Sequence, residues 1–198
     1  MSAAPARILG LDPGLQVTGY GVLELTPAGP RVAEAGVVRS EHSGRDTADM
    51  ARRVKVLYDG VCEVLDQWRP RAVAVEQLYA HPEHPRTAVL MAHARGCFFL
   101  AAAQRGVPAF SYAPGRVKKS LCGHGRADKV QMQAAIAREL GLAKPPEPHD
   151  VADALAVALC HYYASATVFS GGRGGTVQGV NRAMFDPPPD PDEDDDES

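Results

Sequence analysis

Missing from this 198-residue sequence is any uninterrupted apolar stretch near the roughly 18 residues that would suggest a membrane span. The start, Met1 to Arg7, lacks the basic-then-apolar order of a signal peptide, so a cytoplasmic protein is expected. Cysteine is scarce. Cys62, Cys97, Cys122 and Cys160 show no paired close spacing, which argues against a zinc site or a redox pair and leaves reduced packing residues. From Ala183 onward there is no basic residue at all, against eight acidic ones between Asp186 and Glu197.

That last absence makes the formal net charge of -3 misleading. Without the tail, 21 basic residues face 16 acidic ones, a net of +5 over positions 1–182. A moderately basic body suits a polyanionic partner, although the balance alone is weak support for nucleic-acid binding. The length suits one α/β domain with a full-sized core.

What is present begins with Ile8-Leu9-Gly10-Leu11-Asp12-Pro13-Gly14, a short apolar run closed by a Pro-Gly turn signal. It reads as a buried strand ending in a carboxylate. The stretch Gly14 to Leu25, a turn feeding an alternating run, the connection Thr26 to Pro30 and the run Arg31 to Val38 then predict an antiparallel meander. From Thr47 the period changes: Met50, Val54, Leu57, Val61, Val64, Leu65 and Trp68 recur at helical spacing up to Pro70. Arg71 to Glu76 is a second apolar strand with a terminal carboxylate, and a right-handed crossover through the helix would set the two strand ends side by side.

A His- and Pro-rich loop, Leu78 to Pro85, leads to a helix over about Thr87 to Gln104. Its apolar residues spread around most of its circumference, so it needs two covers: its own sheet, and either the rest of the fold or a second subunit about a two-fold axis. Val107 to Tyr112 reads as a final strand. Helices follow over Pro114 to Leu121, about Asp128 to Leu140, and His149 to Tyr163. The expected unit is a domain over 1–167. A Gly-rich and then acidic tail over 168–198 is expected to be disordered.

Asp150 and Asp153 share one face of the last helix, in its first two turns. The positive end of the helix dipole accounts for Asp150. It accounts less well for Asp153, which is set among Val151, Ala152, Ala154, Leu155 and Ala156. Each of Asp12, Glu76, Asp150 and Asp153 has an ordinary structural reading taken alone, Asp12 as a turn residue foremost. Together they have one plausible destination, and no Arg or Lys lies next to any of them in sequence. Several carboxylates in one site suit hard divalent cations such as Mg²⁺ or Mn²⁺. Two such ions about 3.5–4 Å apart can serve phosphoryl-transfer chemistry.

The segments Gly10-Leu11-Asp12-Pro13-Gly14, Ala74-Val75-Glu76-Gln77 and Asp150-Val151-Ala152-Asp153-Ala154-Leu155-Ala156 resemble the RuvC crossover junction endodeoxyribonucleases of the ribonuclease H-like superfamily. The likeness covers about Arg7 to Tyr163. It implies an α/β fold with a mixed five-stranded sheet, and two Mg²⁺ (or Mn²⁺) ions held by Asp12, Glu76, Asp150 and Asp153. It also implies a homodimer that nicks opposite strands of four-way junction DNA, leaving a 5′-phosphate and a 3′-hydroxyl, with the RuvA and RuvB branch-migration proteins as partners.

The same resemblance puts Lys118 and Lys129 near the scissile backbone, with Lys119 beside them as a further DNA contact. It makes Tyr79 an aromatic that stacks at the junction centre. Some members carry a histidine in place of the first helix carboxylate, so a role for His149, one residue before Asp150, stays open. His81 and His84 are better read as part of a rigid loop with Pro82 and Pro85 than as a metal site.

The main rival is a sugar-kinase or actin-like ATPase, whose fold also starts with a strand, an Asp and a Gly-rich hairpin. The chain is too short for that class's duplicated domain. A junction-binding module without catalysis is the non-enzyme rival, and the intact carboxylate set argues against it.

Overall fold

In the computed structural model, residues 5–41, 47–78 and 85–170 are described, the side chains of 85–87 and 166–170 excepted. Strands β1 (Arg7–Asp12), β2 (Val17–Thr26) and β3 (Gly29–Arg39) form the meander, followed by helix α1 (Thr47–Trp68) and strand β4 (Ala72–Glu76). Helix α2 (Pro85–Gln104), strand β5 (Ala109–Tyr112) and helices α3 (Pro114–Cys122), α4 (Lys129–Glu139) and α5 (His149–Ser170) complete the order. The expected sequence of elements is the observed one. The last helix is longer than its apolar periodicity suggested, ending at Ser170 rather than Tyr163, and so runs past the boundary expected at 167.

The sheet order is β3-β2-β1-β4-β5. β1 pairs antiparallel with β2 and parallel with β4, and β4 pairs parallel with β5. Long helices feed both parallel pairings, as parallel strands require. The meander needs only the short turn at Pro27-Ala28, where the Thr26 hydroxyl donates to the Gly29 carbonyl at 2.8 Å.

Strand alternation divides the core in two. Leu9, Leu11, Val73 and Val75 face α1 and α2, packing with Leu57, Val61, Leu65 and Phe98. Ile8, Ala74, Leu23 and Tyr112 face the other way, toward α5, α3 and α4. By the same two-residue period Gly10, Asp12 and Glu76 belong to the α5 face.

That face is built for close approach. A Cβ at Gly10 would collide with the Ala154 carbonyl and lie 2.8 Å from the Ala158 Cβ. One at Gly19 would overlap the Asp150 carbonyl, and one at Gly21 would stand 2.6 Å from Leu155 Cδ2. Glycines on β1 and β2 therefore receive the alanine-rich side of α5, so the two backbones nearly touch. Ala154, Ala158 and Leu155 are at most 1% exposed as a result. This packing fixes where the start of α5 lies on the sheet, and Asp150 and Asp153 go with it.

Candidate active site

β1 ends at Asp12 because Pro13 has no N–H with which to continue the ladder. The turn after it is pinned by the wholly buried Thr18, whose hydroxyl donates to the Gly14 carbonyl at 2.8 Å. In the antiparallel register Asp12 lies opposite Gly19, the glycine over which the Asp150 backbone passes. One strand over, the parallel register pairs Leu11 with Val75, so Asp12 and Glu76 are successive residues on neighbouring strand ends.

The two carboxyl groups meet there. The two side chains lie within hydrogen-bond reach of each other. Burial, then the negative charges of Asp153 and Asp150, push Asp12 up to about 7. Burial and the charges of Asp12 and Asp153 push Glu76 up to about 8, opposed by the Lys118 ammonium. Two carboxylates this close cannot both stay charged at neutral pH unless a cation joins them.

Asp153 belongs to the same field. Its side chain is exposed to a cleft, yet enough protein surrounds it that desolvation raises its pKa, as does Asp150. His149, Lys129 and Lys118 pull the other way. Asp150 is half-buried, with its Oδ2 3.9 Å from Nε2 of the exposed His149. The expected carboxylates thus lie in mutual electrostatic reach at one sheet edge. Among the described residues, no three acidic, His or Cys side chains already form a metal shell. Stacked negative charge with too few cations, on all-oxygen donors, is the chemistry that a hard divalent ion satisfies.

A cleft of about 200 Å³ opens beside them, with Glu76, Asp153, His149, Lys118 and Lys129 in its wall. Both lysines come from helices whose ends are well fixed. α3 starts on Pro114 and is closed by Gly123 at φ 80°, whose N–H reaches the Lys119 carbonyl. α4 starts on a capping box in which Asp128 accepts from the Gln131 N–H at 2.8 Å and the Gln131 side chain accepts from the Asp128 N–H at 2.9 Å. Asp128 is a cleft carboxylate that the sequence reading passed over, and its capping role occupies it. Lys119, next to Lys118, is exposed and is not part of the cleft wall.

Tyr79, His81 and His84 lie outside the described residues. Sequence reasoning also missed Arg95, whose Nε donates to the Glu76 carbonyl at 3.2 Å. The available signal was an arginine in the middle of a helix otherwise rich in Ala, Phe and Leu.

Comparison with known proteins gives a consistent result. The family model described as "Crossover junction endodeoxyribonuclease RuvC" matches residues 8–161. A crossover junction endodeoxyribonuclease RuvC of Rhodopirellula baltica is 48% identical over 158 residues, covering 79% of this chain and 85% of that protein. The structure of Thermus thermophilus RuvC superposes with a TM-score of 0.74 at 33% identity, over 82% of this chain and 96% of that one. The same protein in complex with a Holliday junction substrate gives 0.73 at 35% identity, with the same coverage.

Proposed function

The chain belongs to the crossover junction endodeoxyribonuclease RuvC family, divalent-metal-dependent enzymes that nick four-way DNA junctions in recombination and repair, and on that premise we propose how its residues share the work. Asp12, Glu76, Asp150 and Asp153 hold the metal, as two Mg²⁺ or Mn²⁺ ions per site. The observation that carries this reading is the register that sets Asp12 and Glu76 on adjacent strand ends, with the start of α5 and its Asp150 passing over Gly19 opposite Asp12. When bound, the metal supplies an activated water and charge stabilisation at the scissile phosphate.

The protein's own groups do the rest. Asp12 and Glu76, whose pKa values burial and neighbouring charge raise, would hold the cation in their deprotonated forms, so metal uptake is coupled to proton release. Asp150 and Asp153 are carried beside them on a helix seated against glycines. Lys118 and Lys129, from the wall of the cleft, hold the DNA backbone against the carboxylates and stabilise negative charge developing on the phosphate. Lys119, outside the cleft wall, and Tyr79 make further contacts to the junction.

The substrate is a four-way junction, and two copies of the chain act on it as a homodimer. α2 is the surface that suits the second copy. Val89 and Leu100 remain 60% and 52% exposed on it, and Ala92, Gly96 and Ala103 lie exposed between and beyond them at helical spacing. The RuvA and RuvB branch-migration proteins are the proposed partners and the cytoplasm the proposed location. No helix among the described residues is long and apolar enough to cross a membrane. The nuclease domain is assigned to residues 1–167 and a tail to 168–198, with α5 carrying on across that boundary to Ser170.

The test is a cleavage assay on a four-way junction, a linear duplex and an RNA–DNA hybrid, with and without Mg²⁺. Paired Mg²⁺-dependent nicks confined to the junction support the reading. Preferential cutting of the hybrid would assign the same site to another substrate.

A further inference from the structure

Arg95 projects from α2 between the buried Ala94 and the exposed Gly96. Its Nε donates to the backbone carbonyl of Glu76 at 3.2 Å, and a terminal nitrogen donates to the hydroxyl of Ser111. The guanidinium carbon rests 4.6 Å from the Phe99 ring centroid, one turn along the same helix. Ser111 is buried on β5 and pairs in register with Val75, the residue before Glu76. One guanidinium therefore spans the carboxyl ends of β4 and β5 and ties both to α2.

The bond to Glu76 falls where the strand runs out. Beyond Glu76 the last ladder bond is from the Gln77 N–H to the Tyr112 carbonyl at 2.9 Å. The Glu76 carbonyl, on the opposite side of the same peptide, is taken by Arg95. Held from both edges, that peptide cannot swing, and the Glu76 side chain is left with only its own torsions. Without Arg95 a carbonyl at the end of a buried strand would have to find water or turn.

We propose that Arg95 is a positioning residue for Glu76. It touches neither metal nor DNA, and it holds the backbone from which the Glu76 carboxylate reaches the metal. This rests on Glu76 being a metal ligand. A lysine keeps the charge and the stem but lacks the planar fork needed to bond the carbonyl and the Ser111 hydroxyl together.

The test is a calorimetric titration of the DNA-free full chain with Mn²⁺, for wild type, Arg95→Ala, Arg95→Lys and Glu76→Gln. The Mg²⁺ concentration for half-maximal nicking and the junction affinity in Ca²⁺ are measured alongside. Outer-shell partners of metal ligands are typically worth about 10–100-fold in metal affinity. Arg95→Ala is expected to weaken Mn²⁺ binding and raise the Mg²⁺ requirement by a factor of that order, at unchanged junction affinity. Arg95→Lys is expected to fall between it and wild type.

Wild-type Mn²⁺ affinity in Arg95→Ala, even with a lowered melting temperature, would reduce Arg95 to a tie between helix and sheet and overturn the proposal. Should Arg95→Ala not fold, wild-type Mn²⁺ affinity in Arg95→Lys would overturn it equally. If Glu76→Gln binds Mn²⁺ and nicks like wild type, the assignment of Glu76 itself fails and takes this proposal with it. An inactive Glu76→Gln beside a normal Arg95→Ala removes Arg95 alone.

Discussion

Asp12 and Glu76, on the ends of two parallel strands, bring their carboxyl groups within hydrogen-bond reach of each other. Both folded pKa values, about 7 and about 8, stand above the ordinary values of 3.8 and 4.5. The folded chain therefore holds protons that the unfolded chain has released. Their contribution to stability is complete below about pH 4 and is lost as pH rises through 7 to 8. Without divalent metal, the melting temperature of wild type should fall over that range relative to Glu76→Gln, which leaves a neutral group in place. Adding Mg²⁺ at pH 8 should recover the loss. A wild type that tracks Glu76→Gln at every pH would mean that the pair is not strained.

Gly19→Ala tests the seating of α5. The added methyl would overlap the Asp150 carbonyl, so the start of the helix must move away from Asp12. Overpacking of this kind costs about 1–3 kcal/mol. Nicking should fall by more than the lost stability explains, because the displaced segment carries both helix carboxylates. Differential scanning calorimetry together with single-turnover nicking at a temperature where the variant remains folded separates the two effects.

Lys118 and Lys119 are neighbours in sequence with different surroundings. Lys118 lines the cleft and lowers the Glu76 pKa, whereas Lys119 is exposed outside the cleft wall. Removing one preorganised donor to a developing charge costs about 10²–10³ in rate. Lys118→Met should lose nicking on that scale. Lys119→Met should mainly weaken binding and flatten its salt dependence by about one unit of slope. Equal losses of rate in the two variants would contradict the division.

His161 supplies a pH dependence of opposite sign. It is buried on α5, with Nδ1 2.7 Å from the Tyr112 hydroxyl and its ring 4.5 Å from that of Phe110. Burial, followed by the positive charge of Arg71, lowers its pKa from 6.5 to about 4. The unfolded chain then binds the proton that the fold refuses. Stability on the order of 3 kcal/mol is present above pH 6.5 and lost as pH falls toward 4. His161→Gln, which keeps a hydrogen-bond partner for Tyr112, should flatten that slope in urea denaturation between pH 7 and pH 4.5.

Much of this was legible in sequence because it follows from chain periodicity. Ile8 to Leu11 and Ala72 to Val75 read as strands, and α1 as a helix, since each lies within one layer of the fold. The limits of β5 were less plain. Pro108 accepts from the Val73 N–H at 2.9 Å but has no N–H to give, so the strand begins at Ala109 rather than Val107. The extension of α5 to Ser170 had no sequence signal, because the apolar periodicity breaks at Ala164-Ser165-Ala166-Thr167. In the candidate site, residue type and strand-end position marked the carboxylates. The placement of Lys118 and Lys129 against Asp153, its opening onto the cleft, the capping role of Asp128 and the grip of Arg95 on a carbonyl all depend on how α2, α3 and α4 dock. No local pattern encodes those contacts.

The central claim is that the Asp12 carboxylate holds metal for nicking and does not build the junction-binding surface. Asp12→Asn removes the charge at nearly constant shape. Nicking of a four-way junction in Mg²⁺ and junction binding in Ca²⁺, measured on the same preparation of Asp12→Asn and wild type, test it directly. Abolished nicking with binding close to wild type is the predicted result, and Mg²⁺-dependent nicking retained near the wild-type rate would contradict it.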